Sequence, residues 1–526
     1  MKFPIFISVL ISLCCGCSRP HKNTDKKHVR LYLQTHALSL DPRIGGNRVS
    51  SHVTRHLFEG LFRIDRHGKY SPALAKNVII SQDKCLYTFE LHHSKWSNGE
   101  DVTAYDFEYA WKSILDPSFP SAFSYLFYDI KNAVEAYQKK CSSDDIGIKA
   151  TDSHTLQVTL KHPTPFFLEL VANPLFSPLP RSYCQKENWS QKVFPDYVSN
   201  GPFILKKHDL KSQIILEKNP FYWGRTPPQI DTLSFTVVED PQTAYNMFCV
   251  GALDWFGEPC GPIPLNMLNG LDPNALHTQD TGQSTWLECQ IDKPPLNSQL
   301  IRKALATAID RDVICNQFLE YAETPAYSVL PKFLTLLSAP SFKNGDVQEA
   351  NLLFEKGLKE LGITKKKCPP LTLLYTSDQT PQTMAGLIRT QLSEALGIEI
   401  ILEECDYHTF LSRICSDDFE LALSNWFSLY RDPMYTLNCF KHKETKMIGP
   451  PWEDPIYIET LNKASAAISD KERQQYLKEA EERVVDQLPI IPILYKTHKH
   501  LKPNHLHGYA LSEIGQMDFT WTEKSS

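Results

Sequence analysis

The stretch Leu421-Ala422-Leu423-Ser424-Asn425-Trp426-Phe427-Ser428-Leu429-Tyr430-Arg431-Asp432-Pro433 decides how the rest of the chain is read. It starts as an apolar strand and runs into an aromatic, polar and charged cluster closed by proline. A strand end presenting backbone groups, large aromatics and both signs of charge can grip a polar ligand with an apolar body. Alone, the same pattern also fits a buried strand followed by an ordinary turn. The flanking sequence has to choose.

Upstream, helix and strand patterns alternate. Asp346 to Leu361 places Ala350, Leu353, Phe354, Gly357, Leu358 and Leu361 on one helical face. Leu371 to Tyr375 reads as a strand, Thr380 to Leu396 as a helix ended by Gly397, and Ile398 to Leu402 as another strand. Phe419 to Ser424 then leads into the opening stretch. Alternation of this kind implies an α/β unit with a partly parallel sheet, in which ligands bind beyond the carboxyl ends of strands. Downstream, Ser469-Asp470-Lys471-Glu472 caps a helix running to about Gln487, and Ile490 to Tyr495 forms the last strand.

The N-terminal half has its own punctuation. His28 to Leu33 alternates as a first strand, and Leu57, Phe58 and Leu61 mark a short helix over Thr54 to Leu61. Cys85 to Leu91 alternates as a strand, and Asn98-Gly99 marks a turn. Thr103-Ala104-Tyr105-Asp106 is a capping box before a face made of Phe107, Ala110, Trp111 and Ile114.

Length and composition bound the answer. A chain of 526 residues favours two or three packed units, and 42% hydrophobic with 22% charged residues is a globular balance. A net charge of −6 argues against a nucleic-acid partner. Lys2 followed by the apolar run Phe3 to Leu13 reads as a secretion signal. It ends in Leu13-Cys14-Cys15-Gly16-Cys17-Ser18, which resembles a bacterial lipobox with Cys17 as the acylated residue. The competing reading, a redox pair of Cys14 and Cys17, would sit in a segment destined for removal. Eleven cysteines follow, an odd number, scattered from Cys85 to Cys439. Beyond the signal no run of 18 apolar residues occurs.

Several short motifs, taken in order, resemble the peptide- and nickel-binding family of extracellular solute-binding proteins, the ligand-capturing components of ABC importers. They are Ser71 to Ala75, Tyr87-Thr88-Phe89, Lys95 to Gly99 and Val102 to Phe107. Leu40-Asp41-Pro42, Leu57 to Leu61, Thr155 to Leu160, Asn200 to Phe203, Asn219 to Trp223, Lys293 to Asn297, Arg302 to Leu305, Ile309 to Arg311 and Pro489 to Ile493 extend the likeness over most of the chain. The implied fold is α/β and two-lobed, periplasmic-binding-protein-like (class II type), with an additional domain and mixed sheets. The implied division is residues 1–17 as lipoprotein signal and lipobox, lobe I from 28–65, 185–280 and 490–526, domain II from 66–184, and lobe III from 281–489. On this pattern Ile490 to Tyr495 returns to lobe I, and the cleft lies between lobes I and III.

The resemblance also implies a ligand site. An extended peptide would be held by backbone groups of Gly46-Asn47-Arg48 and Asn425-Trp426-Phe427, in effect as an added strand. Trp426 matches the family's cleft tryptophan, against the alternative of core packing, and Tyr407 falls where another cleft aromatic lies. Tyr430, Arg431 and Asp432 complete the candidate set. The sequence departs from the family at Leu429, where an aspartate usually takes the peptide's α-ammonium; either Asp432 or a carboxylate from elsewhere replaces it, or that clamp is absent. Arg431 could instead attract a carboxylate, as a cell-wall peptide would offer, or pair with Asp432. Phe427 stands where peptide binders often carry a cysteine, so the usual disulfide is not expected.

Other chemistry has little support. His498-Lys499-His500 and His505-Leu506-His507 read as surface histidines rather than a metal site, and no cofactor is expected. HExxH, GxSxG, P-loop and GxGxxG patterns do not occur, so no enzyme is expected. The sequence therefore points to a monomeric, lipid-anchored peptide-binding protein on the periplasmic or cell-surface face of a membrane, serving an ABC permease by lobe closure. The alternatives are the same fold binding murein peptides, or a secreted hydrolase or adhesin on this scaffold.

Overall fold

Three sheets and two apolar cores carry the fold. The computed structural model describes residues 27–37, 39–44, 48–121, 123–209, 211–224, 227–268, 270–318, 323–377, 379–441 and 451–525. The segment expected to be a secretion signal, with Cys17, lies outside them together with Gly46 and Asn47, and Arg48 is described only as the first residue of a helix.

The first sheet orders His28–Leu33, Thr232–Val237, Gln213–Lys218 and Phe203–Asp209; its first pair is parallel and the others antiparallel. The second is an antiparallel sheet of Ala75–Ile80, Leu86–Leu91, Thr155–Thr159 and Ile148–Asp152. The helix Ala104–Ile114 packs on it, and its capping box forms as the sequence predicts, with the Thr103 N–H donating to the Asp106 carboxylate at 2.8 Å. Both sheets bury their faces in one continuous core that includes Leu57, Phe89, Trp111, Phe203 and Phe519. The segment 66–184 thus has its own sheet but shares the N-terminal sheet's core.

The third sheet has seven strands and is mixed. Its main path runs Phe256–Gly257, Ile490–Leu501, His277–Cys289, Leu421–Phe427, Leu371–Thr376 and Ile400–Cys405. Leu371–Thr376 pairs parallel with both Ile400–Cys405 and Leu421–Phe427, as alternating helices and strands require. The helices Val347–Glu360, Gln379–Leu396 and Asp470–Gln487 pack around it and build the second core.

Two long strands join the cores. His277–Cys289 and Ile490–Leu501 run antiparallel along each other, but the register breaks between Asp280 and Ser284. Before the break, residues 277–280 face 497–500; beyond it, 284–288 face 490–495. The strand expected to return to the N-terminal lobe thus runs along both bodies. Ile490, Ile491, Ile493 and Leu494 are buried in the second core, and the strand meets the first at His500, on Trp255, and at Leu501. The cause is length: a twelve-residue strand spans both bodies, which the six-residue apolar pattern did not reveal.

The recurring motifs work as ties between distant segments. The Asn200 amide accepts from the Glu59 N–H at 3.1 Å and donates to the Glu59 carbonyl at 2.9 Å. A Cβ on Gly201 would fall 2.5 Å from the Leu57 carbonyl carbon, so only glycine allows this approach. The Glu59 carboxylate accepts from Arg63, Tyr222 and Trp223. Arg302 donates to the carbonyls of Leu296, Gln487 and Leu488, satisfying the end of the helix Asp470–Gln487. Arg311 is fully buried and donates to Pro492, Ala306 and Ile309 carbonyls.

His498 and His500 are not surface residues as expected. Both are buried in Ile490–Leu501, and His500 stacks on Trp255 with centroids 4.1 Å apart. Burial pushes the His500 pKa down to about 3, with His277 adding to the effect. His505 and His507 are exposed. Among the described residues no group of three or more His, Cys, Asp or Glu side chains is placed to hold a metal. None of the eleven cysteines from Cys85 to Cys439 is in a disulfide. No described helix is long and apolar enough to cross a membrane.

Candidate functional site

The strand Leu421–Phe427 alternates its side chains, and that alternation divides the candidate residues. Asn425 is exposed, and its amide oxygen accepts from the Thr285 hydroxyl at 2.8 Å. Trp426 points the other way, 9% exposed, and its indole N–H donates to the Thr436 hydroxyl at 2.9 Å. In this conformation the core alternative describes Trp426. Phe427 turns back and helps to line a cavity of about 250 Å³. Among the described residues the ladder from Leu421–Phe427 to Leu371–Thr376 has its last pair at Ala422.

Beyond the strand the chain bends across both cores. Ser428 is buried, and its N–H donates to the Gly282 carbonyl at the register break. Leu429 lines the cavity, at the position where the resemblance expects an aspartate. Tyr430 is buried and stacks on Phe166, with centroids 4.8 Å apart and planes at 15°. Asp432 caps the helix Pro433–Leu437 and pairs with Arg473 at 2.7 Å, both side chains buried. It is therefore spoken for as a replacement clamp.

Arg431 does not pair with Asp432. Its guanidinium reaches Glu513 at 3.1 Å and lies over the Phe333 ring, while its backbone N–H donates to the Glu169 carboxylate. Burial raises the Glu169 pKa to about 7, against the opposing pull of that hydrogen bond. Tyr407 stands apart. It is 61% exposed at the start of the helix Tyr407–Cys415, after the edge strand, and does not line the cavity.

The cavity lies where the opening stretch meets the first core. Its walls come from the loop at Asp41, the helix Arg48–Leu57, the segment around Leu175, Phe427 with Leu429, and the C-terminal segment at Gln516. Asp41 is held by Arg43 through two hydrogen bonds of 2.7 and 3.0 Å. Arg55 enters the same wall from the helix. Sequence reasoning missed Arg55, although it lies two residues before the motif Leu57 to Leu61; the helix starts at Arg48, not Thr54, which turns Ser51 and Arg55 to one face.

This architecture, two cores joined by crossing strands with a cavity at their junction, is that of the two-lobed extracytoplasmic binding proteins. Residues 69–447 match the model of the bacterial extracellular solute-binding proteins, family 5, and the chain belongs to that family. It is 31% identical to the oligopeptide-binding protein OppA of Bacillus subtilis (strain 168), over 98% of this chain and 97% of that one. Among solved structures it resembles an oligopeptide-binding protein of Borrelia burgdorferi, with a TM-score of 0.79 and 27% identity over 95% of this chain and 100% of that one. The Escherichia coli murein tripeptide binding protein MppA gives 0.78 and 25%, over 95% and 99%.

Proposed function

We propose that this protein captures oligopeptides outside the cytoplasm and delivers them to the permease of an ABC importer. Two of the relatives just described are named for oligopeptides, and they support the ligand class. The observation that carries the reading is the cavity at Phe427 and Leu429, at the end of a strand whose described ladder to Leu371–Thr376 stops at Ala422. An extended peptide can pair its own backbone with such a strand and place side chains in the cavity. Lipid attachment at Cys17, a monomeric state and closure of two lobes on the ligand belong to the same reading. So do backbone contacts from Gly46, Asn47 and Arg48. No covalent chemistry on the ligand is part of it.

A second reading keeps the fold and makes the ligand a murein peptide. It is favoured by Leu429 in the cavity wall, which offers no charge to an α-ammonium. Mass spectrometry of molecules that co-purify with the protein tests both. Peptides of mixed sequence are expected; peptides rich in diamino acids would favour the second reading. Turnover of bound peptide in the pure protein would contradict the absence of catalysis.

A further inference from the structure

We propose that the Arg55–Leu429 end of the cavity receives an anionic group of the ligand, a carboxylate, in place of the α-ammonium. The inference rests on the peptide reading and names the chemistry of one subsite within it.

Arg55 is 7% exposed, and it lines both the main cavity and a narrow space of about 20 Å³ behind it. Its guanidinium forms no hydrogen bond or ion pair with any described residue, although buried arginines elsewhere in this chain are densely bonded. The carboxylates around it are already engaged. Asp518 accepts from Arg63 at 2.8 Å and lies 3.9 Å from the His56 ring. Glu59 is shared among Arg63, Tyr222 and Trp223. Asp41, the one carboxylate among the described residues lining the main cavity, is neutralised by Arg43.

The charges of the wall therefore do not cancel. Asp41 is answered by a direct ion pair, Arg55 feels Asp518 only through its field, and Leu429 brings no charge. A buried guanidinium without a directly hydrogen-bonded anion is unfavourable, and its planar fork matches a carboxylate through two parallel hydrogen bonds. The hydroxyl of Ser51 and the amide of Gln516 add donors to the same wall, while the Thr54 hydroxyl is turned to the Ser51 carbonyl. Burial, with the fields of Asp518 raising it and Arg63 lowering it, brings the Arg55 pKa down only to about 10, so the group stays charged at neutral pH.

Calorimetry on the full chain, freed of co-purifying ligand, tests this with four versions of one tripeptide. Acetyl-Ala-Ala-Ala-amide carries no charge, acetyl-Ala-Ala-Ala a terminal carboxylate, acetyl-Glu-Ala-Ala-amide a side-chain carboxylate, and Ala-Ala-Ala-amide only an amine. At least one carboxylate version should bind roughly tenfold to a hundredfold more tightly than the uncharged one, and the amine version should gain nothing. Arg55→Gln should erase that advantage and Arg55→Lys should keep part of it. Leu429→Asp, which leaves Arg55 in place, should move the preference to the amine version. A carboxylate advantage that survives Arg55→Gln, or an amine preference in the wild type, overturns the proposal. Equal binding of all four overturns it while sparing the peptide reading; binding of none removes both.

Discussion

Trp286 and Trp426 stack across two neighbouring antiparallel strands, with ring centroids 5.3 Å apart and planes 11° from parallel. They are diagonal neighbours, since Trp426 lies opposite Ser284 and Trp286 opposite Ser424. The pair closes the second core beneath the strand end that carries the candidate site. Trp426→Ala should therefore cost about 3–5 kcal/mol of stability, read from urea unfolding, with affinity of the folded protein changed only a few-fold. A large affinity loss at unchanged stability would place the ring on the ligand instead.

Asp432 and Arg473 form a buried pair at the start of the helix Pro433–Leu437. Arg473→Met leaves a buried carboxylate unpaired and should destabilise by about 3–5 kcal/mol. Arg473→Met combined with Asp432→Asn should recover part of this. A double-mutant cycle with no coupling between the two positions would remove the pair from the stability account.

The buried Asp518 makes stability depend on acid pH. Burial acting alone would raise its pKa, but Arg63 first and then His56 overcome it and hold it at about 2. A folded-state pKa below the unfolded value stabilises above that unfolded value, near 4, and the contribution fades as pH falls towards 2. Wild-type stability should drop by ~2 kcal/mol more than that of Asp518→Asn across this window. Parallel acid-unfolding curves for the two proteins would contradict the shift.

Closure should accompany binding if the two crossing strands bend at their register break, where Gly282 meets both Ser428 and Glu513. Small-angle scattering should give a smaller radius of gyration when a saturating mixture of tripeptides is added. An unchanged radius with binding verified by calorimetry would leave local ordering as the response.

Anchoring should depend on Cys17. Cys17→Ser should leave the precursor uncleaved at that site and free of acyl label, whereas a conventional signal peptide tolerates the change. Acyl labelling that persists in the variant would assign the anchor elsewhere.

The sequence by itself determined the elements and the family. Helix Val347–Glu360, strand Leu371–Thr376, helix Gln379–Leu396 and the Thr103 capping box are local matters of periodicity and caps, legible wherever a few consecutive residues decide the outcome. The missing charge at Leu429 was equally legible, because one residue type at one motif position carries it. What only the tertiary structure decided is which side chains remain available. His498 and His500 look like surface residues until their strand is laid between two others. Arg431 and Asp432 are adjacent in sequence yet answer different partners, Glu513 and Arg473, and Trp426 is claimed by Trp286. Arg55, unremarkable in a helical stretch, becomes the unanswered charge because Asp41, Glu59 and Asp518 are engaged by residues near and far in sequence. Ion pairing and burial are sums over neighbours in space, and no local pattern contains those sums.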